Sequence, residues 1–155
     1  MAPQFYELFD PKQVVLDLHA ATQDEAILEI ADLLRANGRV AQYYEFADAV
    51  MAREGRSSTN TGDGVAFPHA RTDLVEQIIL GVGRSAKGVR FGDSTQLVNL
   101  IFLVGVPQRM VTDYLVCVGT IARLVRPPER REALMRAEKP EHFVELLRAG
   151  ALLLE

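Results

Sequence analysis

Thr59-Asn-Thr-Gly62-Asp63-Gly64-Val65-Ala66-Phe67-Pro68-His69, followed by Ala70-Arg71, is the stretch on which the reading of this chain turns. Gly62 and Gly64 permit positive φ or close backbone approach, so the loop can turn sharply and present its amides. Val65-Ala66-Phe67 is a short apolar island that anchors the loop in the core as a strand. Pro68 fixes the backbone immediately before His69 and removes an amide that would compete locally. A histidine is thereby held at a strand end, with Arg53 and Arg71 as sequence candidates for an anion clamp. Guanidinium groups suit that role because their planar donors stay charged and match phosphate oxygens. A histidine so placed can serve as a general base, a metal ligand or a nucleophile. As a nucleophile, a neutral imidazole accepts a phosphoryl group at one nitrogen while the other donates the hydrogen bond that fixes the tautomer. The metal reading is poorly supported, since no second histidine follows within four residues and Cys117 stands alone. No Gly-x-Ser-x-Gly elbow supports a serine hydrolase.

Outward from this loop, the sequence predicts a strand over Val14–Leu18. Thr22-Gln-Asp-Glu25 then forms a capping box, with Ile27, Ile30, Ala31 and Leu34 at helical spacing and Asn37-Gly38 as the stop. A second helix is expected from about Gln42 to Arg53. Gln77–Gly83 and Val98–Val106 read as central strands covered on both faces. After Pro107, Val111, Tyr114, Leu115, Val118, Ile121, Ala122 and Val125 trace one helix stripe, which Pro127-Pro128 ends. Two shorter helices are expected at about Glu129–Ala137 and Glu141–Arg148. The order β-α-α-β-β-β-α-α-α predicts an α/β fold of three layers, α/β/α, with a small mixed sheet flanked by helices. Gly81–Gly88 superficially resembles a nucleotide loop, but it lacks Gly-Lys-Ser/Thr at the required spacing and reads as a strand end and turn.

The 155 residues suit a single domain over 1–155, long enough to bury roughly 70% of the surface of the unfolded chain. Seventeen basic against twenty-one acidic side chains give a net charge of −4, without the basic surplus that nucleic-acid binding draws on. The charge is uneven. Residues 1–50 hold three basic and nine acidic groups, whereas residues 109–136 hold six arginines and three acids, a pattern suited to protein docking. No stretch reaches the ~20 apolar residues of a membrane span, and the N-terminus has no secretion-signal pattern. With a single thiol, Cys117, the expected compartment is the cytoplasm. Cys117 itself reads as an inert packed thiol, and His19 and His142 as surface or capping residues.

Thr59-x-x-Gly62-Asp63-Gly64-Val65-Ala66-x-Pro68-His69 resembles the active-site signature of enzyme IIA domains of the fructose–mannitol class (type 2). These domains belong to the bacterial phosphoenolpyruvate-dependent sugar phosphotransferase system and include the nitrogen-regulatory enzyme IIA. The resemblance extends to the capping-box helix, the Arg53-Glu54 pair, the two apolar strands and the Ile121-Ala122-Arg123-Leu124 helix. It implies that His69 is the phosphoacceptor, charged by the histidine-containing phosphocarrier protein, and that Arg53 stabilises the phosphate. The loop residues Thr59, Gly62, Asp63 and Gly64 then surround the phosphate, with Arg71 added from its proximity in sequence. No cofactor and no metal are implied.

The signature is loosened at Asn60 and Thr61, where a glycine and an apolar residue are common, and one further position departs from the family. A second histidine commonly stands near the start of the long helix, and Tyr114 occupies that place here. A tyrosine hydroxyl can donate a hydrogen bond to the His69 ring or to a phosphate, but with a pKa near 10 it supplies no cation at neutral pH. Tyr114 also fits simply as a core aromatic on the apolar stripe. The substitution bears on onward transfer to sugar more than on phosphorylation. Together with the absence of a permease domain from the sequence, it favours a stand-alone, nitrogen-regulatory-like signalling protein whose phosphohistidine alters its affinity for a regulatory target. The alternatives are a sugar-transport enzyme IIA that passes the group to a fructose/mannitol-type permease domain, and a non-phosphorylated binding module of the same fold.

Overall fold

The computed structural model of the chain describes residues 5–92 and 95–153. Its centre is β5 (Leu97–Val106), buried at nearly every position. β4 (Ile79–Arg90) runs antiparallel along one edge of β5, and the two-residue β1 (Val14–Val15) lies parallel to β4 beyond it. The other edge takes β2 (Val65–Ala66) and β3 (His69–Arg71), both parallel to β5. The sheet is thus mixed, as its pattern of buried and turn-bounded segments implied.

Two helical layers cover it. On one face lie α2 (Gln23–Ala36) and α3 (Tyr43–Arg56), whose Ile27, Ile30, Leu34, Phe46 and Val50 pack against Ile79, Ile101 and Leu103. On the other lie α4 (Val111–Leu124), α5 (Pro128–Arg136) and α6 (Pro140–Leu153). Their Cys117, Ile121, Leu124, Phe143 and Leu147 meet Leu80, Val82, Leu100, Phe102 and Val104. Successive residues of β5 alternate between the two cores, so both faces of the strand are apolar. α2 begins with the expected capping box: Glu25 N donates to the Thr22 hydroxyl, and the Glu25 carboxylate accepts from Thr22 N.

The structure differs from the sequence expectation at several points. A short helix, α1 (Phe5–Leu8), precedes β1, and β1 is two residues long instead of five. β3 is an additional strand, and α3 continues one turn past Arg53 to Arg56. Gly81–Gly88 is not a strand end and turn. β4 continues through it to Arg90, with a register irregularity between Arg84 and Val89. The glycines serve packing: a Cβ on Gly81 would stand 2.6 Å from Ile30 Cγ2, so only hydrogen there lets α2 settle on the sheet.

Arg84, also in this stretch, is buried and has no acidic partner among the described residues. Its Nε donates to Leu16 O at 3.0 Å, and its Nη1 donates to Leu134 O at 2.9 Å and Ala137 O at 2.6 Å. The guanidinium therefore closes the carbonyl end of α5, where a cation is favoured by the helix dipole. We expect Gly81→Ala to overpack the contact with Ile30 and lower stability by about 1–3 kcal/mol, read as a reduced urea midpoint with an unchanged slope.

Candidate functional site

β2 and β3 are two pieces of one interrupted strand. A single register runs from Val65 opposite Leu100 to Arg71 opposite Val106, broken at Phe67-Pro68. The break falls where proline has no N–H to give to a ladder. Pro68 O still accepts from Val104 N at 3.0 Å, and the Phe67 ring stacks on Phe102 with centroids 5.7 Å apart. The Phe67 carbonyl is free to turn toward the next residue but one, where it accepts a hydrogen bond from His69 Nδ1 at 3.0 Å.

That contact decides the state of the imidazole. A carbonyl can only accept, so Nδ1 carries the proton and Nε2 is left with its lone pair. Nε2 in turn accepts from the Tyr114 hydroxyl at 2.7 Å. His69 is 9% exposed. Burial is the main influence on its titration and pushes the ring below its ordinary value; the nearby Arg53 and Arg71 charges push the same way, while the Phe67 carbonyl and Glu54 oppose them. Burial also raises the Tyr114 phenol, which Arg53 and Arg71 partly offset. The pair at rest is a neutral imidazole and a neutral phenol.

An open cavity of about 720 Å³ lies in front of the pair, between the last turns of α3, strand β3 and the start of α4. Arg53, Arg56 and Arg71 line it together with His69 and Tyr114, and among the described residues no carboxylate lines it. Arg53 Nη1 donates to Ser57 O at 2.9 Å, which steadies the guanidinium at the end of α3. The structure thus brings Arg53, His69, Arg71 and Tyr114 to one cavity. Arg56 is not among the residues the sequence points to, because the expected helix stops at Arg53 and the observed one runs on to Arg56. Its signal was the i, i+3 spacing, which puts both arginines on one face of a continuing helix.

The glycine loop is placed differently. Gly62, Asp63 and Gly64 do not reach this cavity; Asp63 and Gly64 line a separate depression beside α5. Gly64 has a positive φ of 84°, and its carbonyl accepts from Asn99 N and Leu100 N, which starts β2 on its partner. His69 stands five residues beyond Gly64, about 16 Å away at ~3.3 Å per residue. Thr59 faces inward as well. Its N and Oγ1 donate to the Glu54 carboxylate at 2.7 and 2.9 Å, and Oγ1 accepts from Phe67 N at 3.0 Å. Among the described residues no group of three or more metal-ligating side chains is present, and burial pushes the Cys117 thiol up to about 12.

The model of the family described as "Phosphoenolpyruvate-dependent sugar phosphotransferase system, EIIA 2" matches residues 7–150. The chain belongs to this family. It is 31% identical over 135 residues to the fructose-specific EIIA component of Haloferax volcanii, covering 86% of this chain and 88% of that protein. It is 25% identical to part of the fructose-specific EIIABC component of Bacillus subtilis, covering 91% of this chain but only 22% of that longer protein. Among solved structures, the nitrogen regulatory protein IIA-Ntr of Neisseria meningitidis superposes with a TM-score of 0.85 at 26% identity, covering 94% of this chain and 99% of the other. The mannitol IIA of Escherichia coli shares the fold, with a TM-score of 0.79 at 22% identity. As an EIIA-type protein the chain is a phosphotransferase component, a phosphohistidine carrier that exchanges its phosphoryl group with other proteins of the system. No helix among the described residues is long and apolar enough to cross a membrane.

Because the folded ring resists protonation, an NMR titration should place the His69 midpoint below the ordinary ~6.5 of histidine. A ring with a lowered folded pKa contributes fully above about pH 6.5 and loses that contribution as pH falls toward and through its folded midpoint. The wild type should therefore lose stability to acid more steeply than His69→Gln below about pH 6.5.

Proposed function

We propose that His69 Nε2 is the phosphoryl acceptor, charged by the histidine-containing phosphocarrier protein in the cytoplasm. One observation carries this reading: the unprotonated nitrogen of a buried, neutral imidazole faces a cavity lined by three arginines and, among the described residues, by no acid. The Nε2 lone pair attacks phosphorus, and the bond from phosphorus to the donor's nitrogen breaks, leaving its electron pair on that nitrogen. Nδ1 keeps its proton and its bond to Phe67 O, so no proton changes hands between the rings. The guanidinium groups of Arg53, Arg56 and Arg71 meet the charge spread over the transferring oxygens. Tyr114 must first leave Nε2, and its hydroxyl then donates to a phosphoryl oxygen. Thr59, Gly62, Asp63 and Gly64 shape the strand that carries His69 and do not touch the phosphate.

For the acceptor, we favour a regulatory target protein over a sugar permease. Tyr114 gives the phosphoryl group a neutral neighbour, and the similarity to the Neisseria IIA-Ntr structure extends over nearly the whole of both chains. The second reading, transfer to the permease domain of a fructose or mannitol system, draws on the similarity to the fructose-specific component of Haloferax. Transfer from the phosphorylated chain to an isolated fructose EIIB domain separates the two. Rapid, complete transfer would establish the transport role, and retention of the label supports the signalling one.

Incubation with phosphoenolpyruvate, enzyme I and the phosphocarrier protein should put acid-labile label on the wild type and none on His69→Ala. An unlabelled wild type beside a labelled control carrier would leave only a binding module. Arg53→Ala should slow labelling by about 100-fold, the scale of losing one preorganised charge-stabilising donor. Tyr114→Phe should still take label but lose it about tenfold or more faster, reflecting one hydrogen bond to a charged acceptor of about 1.5–3 kcal/mol.

A further inference from the structure

Glu54 follows Arg53 on α3 but turns away from the cavity into the protein, where it is 3% exposed. A buried carboxylate is expensive unless a cation or several donors hold it. No cation lies at ion-pair distance of Glu54 among the described residues, and its donors are the amide and hydroxyl of Thr59 alone. The same hydroxyl accepts from Phe67 N, and the Phe67 carbonyl accepts from His69 Nδ1. The chain of contacts Glu54–Thr59–Phe67–His69 therefore ends on the nitrogen opposite the one that faces Tyr114.

We propose that Glu54 is a positioning residue for His69, acting through Thr59 to hold the Phe67 carbonyl on Nδ1 and to keep a negative charge behind the ring. This rests on His69 being the phosphoacceptor. Once phosphorus is bonded to Nε2 while Nδ1 retains its proton, the ring is cationic. The charged groups that act on it are Arg53 of α3 and Arg71 of β3, which oppose that cation, and Glu54, which favours it. Tyr114 of α4 faces the ring as a neutral phenol, and Arg56 lines the cavity beyond. The arginines serve the phosphoryl oxygens, and Glu54 is the acid left to offset their effect on the imidazole. Its charge is set behind the nucleophile, where it does not repel an incoming phosphate from within the cavity.

The test uses the full chain with Glu54→Gln, which keeps the shape and removes the charge. The His69 ring is followed by ¹⁵N NMR, labelling from the phosphorylated carrier is timed, and melting temperature reports folding. We expect the His69 midpoint to move further below that of the wild type, the Nδ1–H tautomer to persist, and labelling to slow by about tenfold or more, as for other orienting carboxylates behind a histidine. Thr59→Val should slow labelling similarly, whereas Thr59→Ser, which keeps the hydroxyl, should restore it. If Glu54→Gln does not fold, Thr59→Val against Thr59→Ser decides on the same readouts. A folded Glu54→Gln with an unmoved midpoint, or with labelling at the wild-type rate, overturns the proposal. A wild type that takes no label, beside a Glu54→Gln whose midpoint has moved, sinks the phosphoacceptor reading and leaves the electrostatic link between Glu54 and His69 standing.

Discussion

One strand register, interrupted by a proline, determines where the chemistry of this molecule sits. Because β2 and β3 keep the same alignment on β5 across the break at Phe67-Pro68, His69 is fixed opposite Val104 by backbone pairing on both sides. Strand alternation turns the Phe67 carbonyl away from β5, while Pro68 O is the one paired with Val104 N, and the outward Phe67 carbonyl sets the imidazole tautomer. Orientation of the ring is thus delegated to main chain, which is stiffer than any side-chain partner. α3 and α4, packed on opposite faces of the same sheet, then deliver Arg53, Arg56 and Tyr114 from two sides to the end of the strand, which itself carries Arg71.

Local signals were legible in the sequence wherever a single segment carried them. The capping box at Thr22 and Glu25 and the doubly buried β5 each announce themselves within a dozen residues, and the structure contains both. The expected stripe of α4 is met only in part: Ile121 and Val125 are buried, but Leu115 is exposed, and Cys117 and Leu124 are buried with them. β3 was not legible, because three residues show no periodicity and the strand exists only by virtue of its partner. β4 was cut short because glycine was read as punctuation. At Gly81 it marks close approach of a helix, and that depends on Ile30, some fifty residues away in the chain.

The site divides along the same line. His69, Arg53, Arg71 and Tyr114 were legible as residue types in pattern and by family resemblance, and they do share a cavity. Gly62, Asp63 and Gly64 were placed around the phosphate because a glycine-rich loop can form an anion nest. Here the loop's positive-φ turn is spent on launching β2, and the intervening strand carries His69 away from it. Thr59 is held by neighbours of its own. Its hydroxyl faces Glu54, a contact between the end of a helix and the loop beyond it that no spacing rule encodes.

The parallel pairing of β1 with β4 also constrains how the chain comes together. Val14 lies opposite Val82, so this edge of the sheet closes only after α2, α3 and the whole of β2 and β3 have been accommodated between them. The antiparallel β4–β5 pair, joined by a short connection, has far less loop entropy to lose. Folding should therefore begin from the centre of the sheet and add its edges last, with long-range closure setting the pace. His69, on one of those edges, becomes a rigid nucleophile only when nearly everything else is in place.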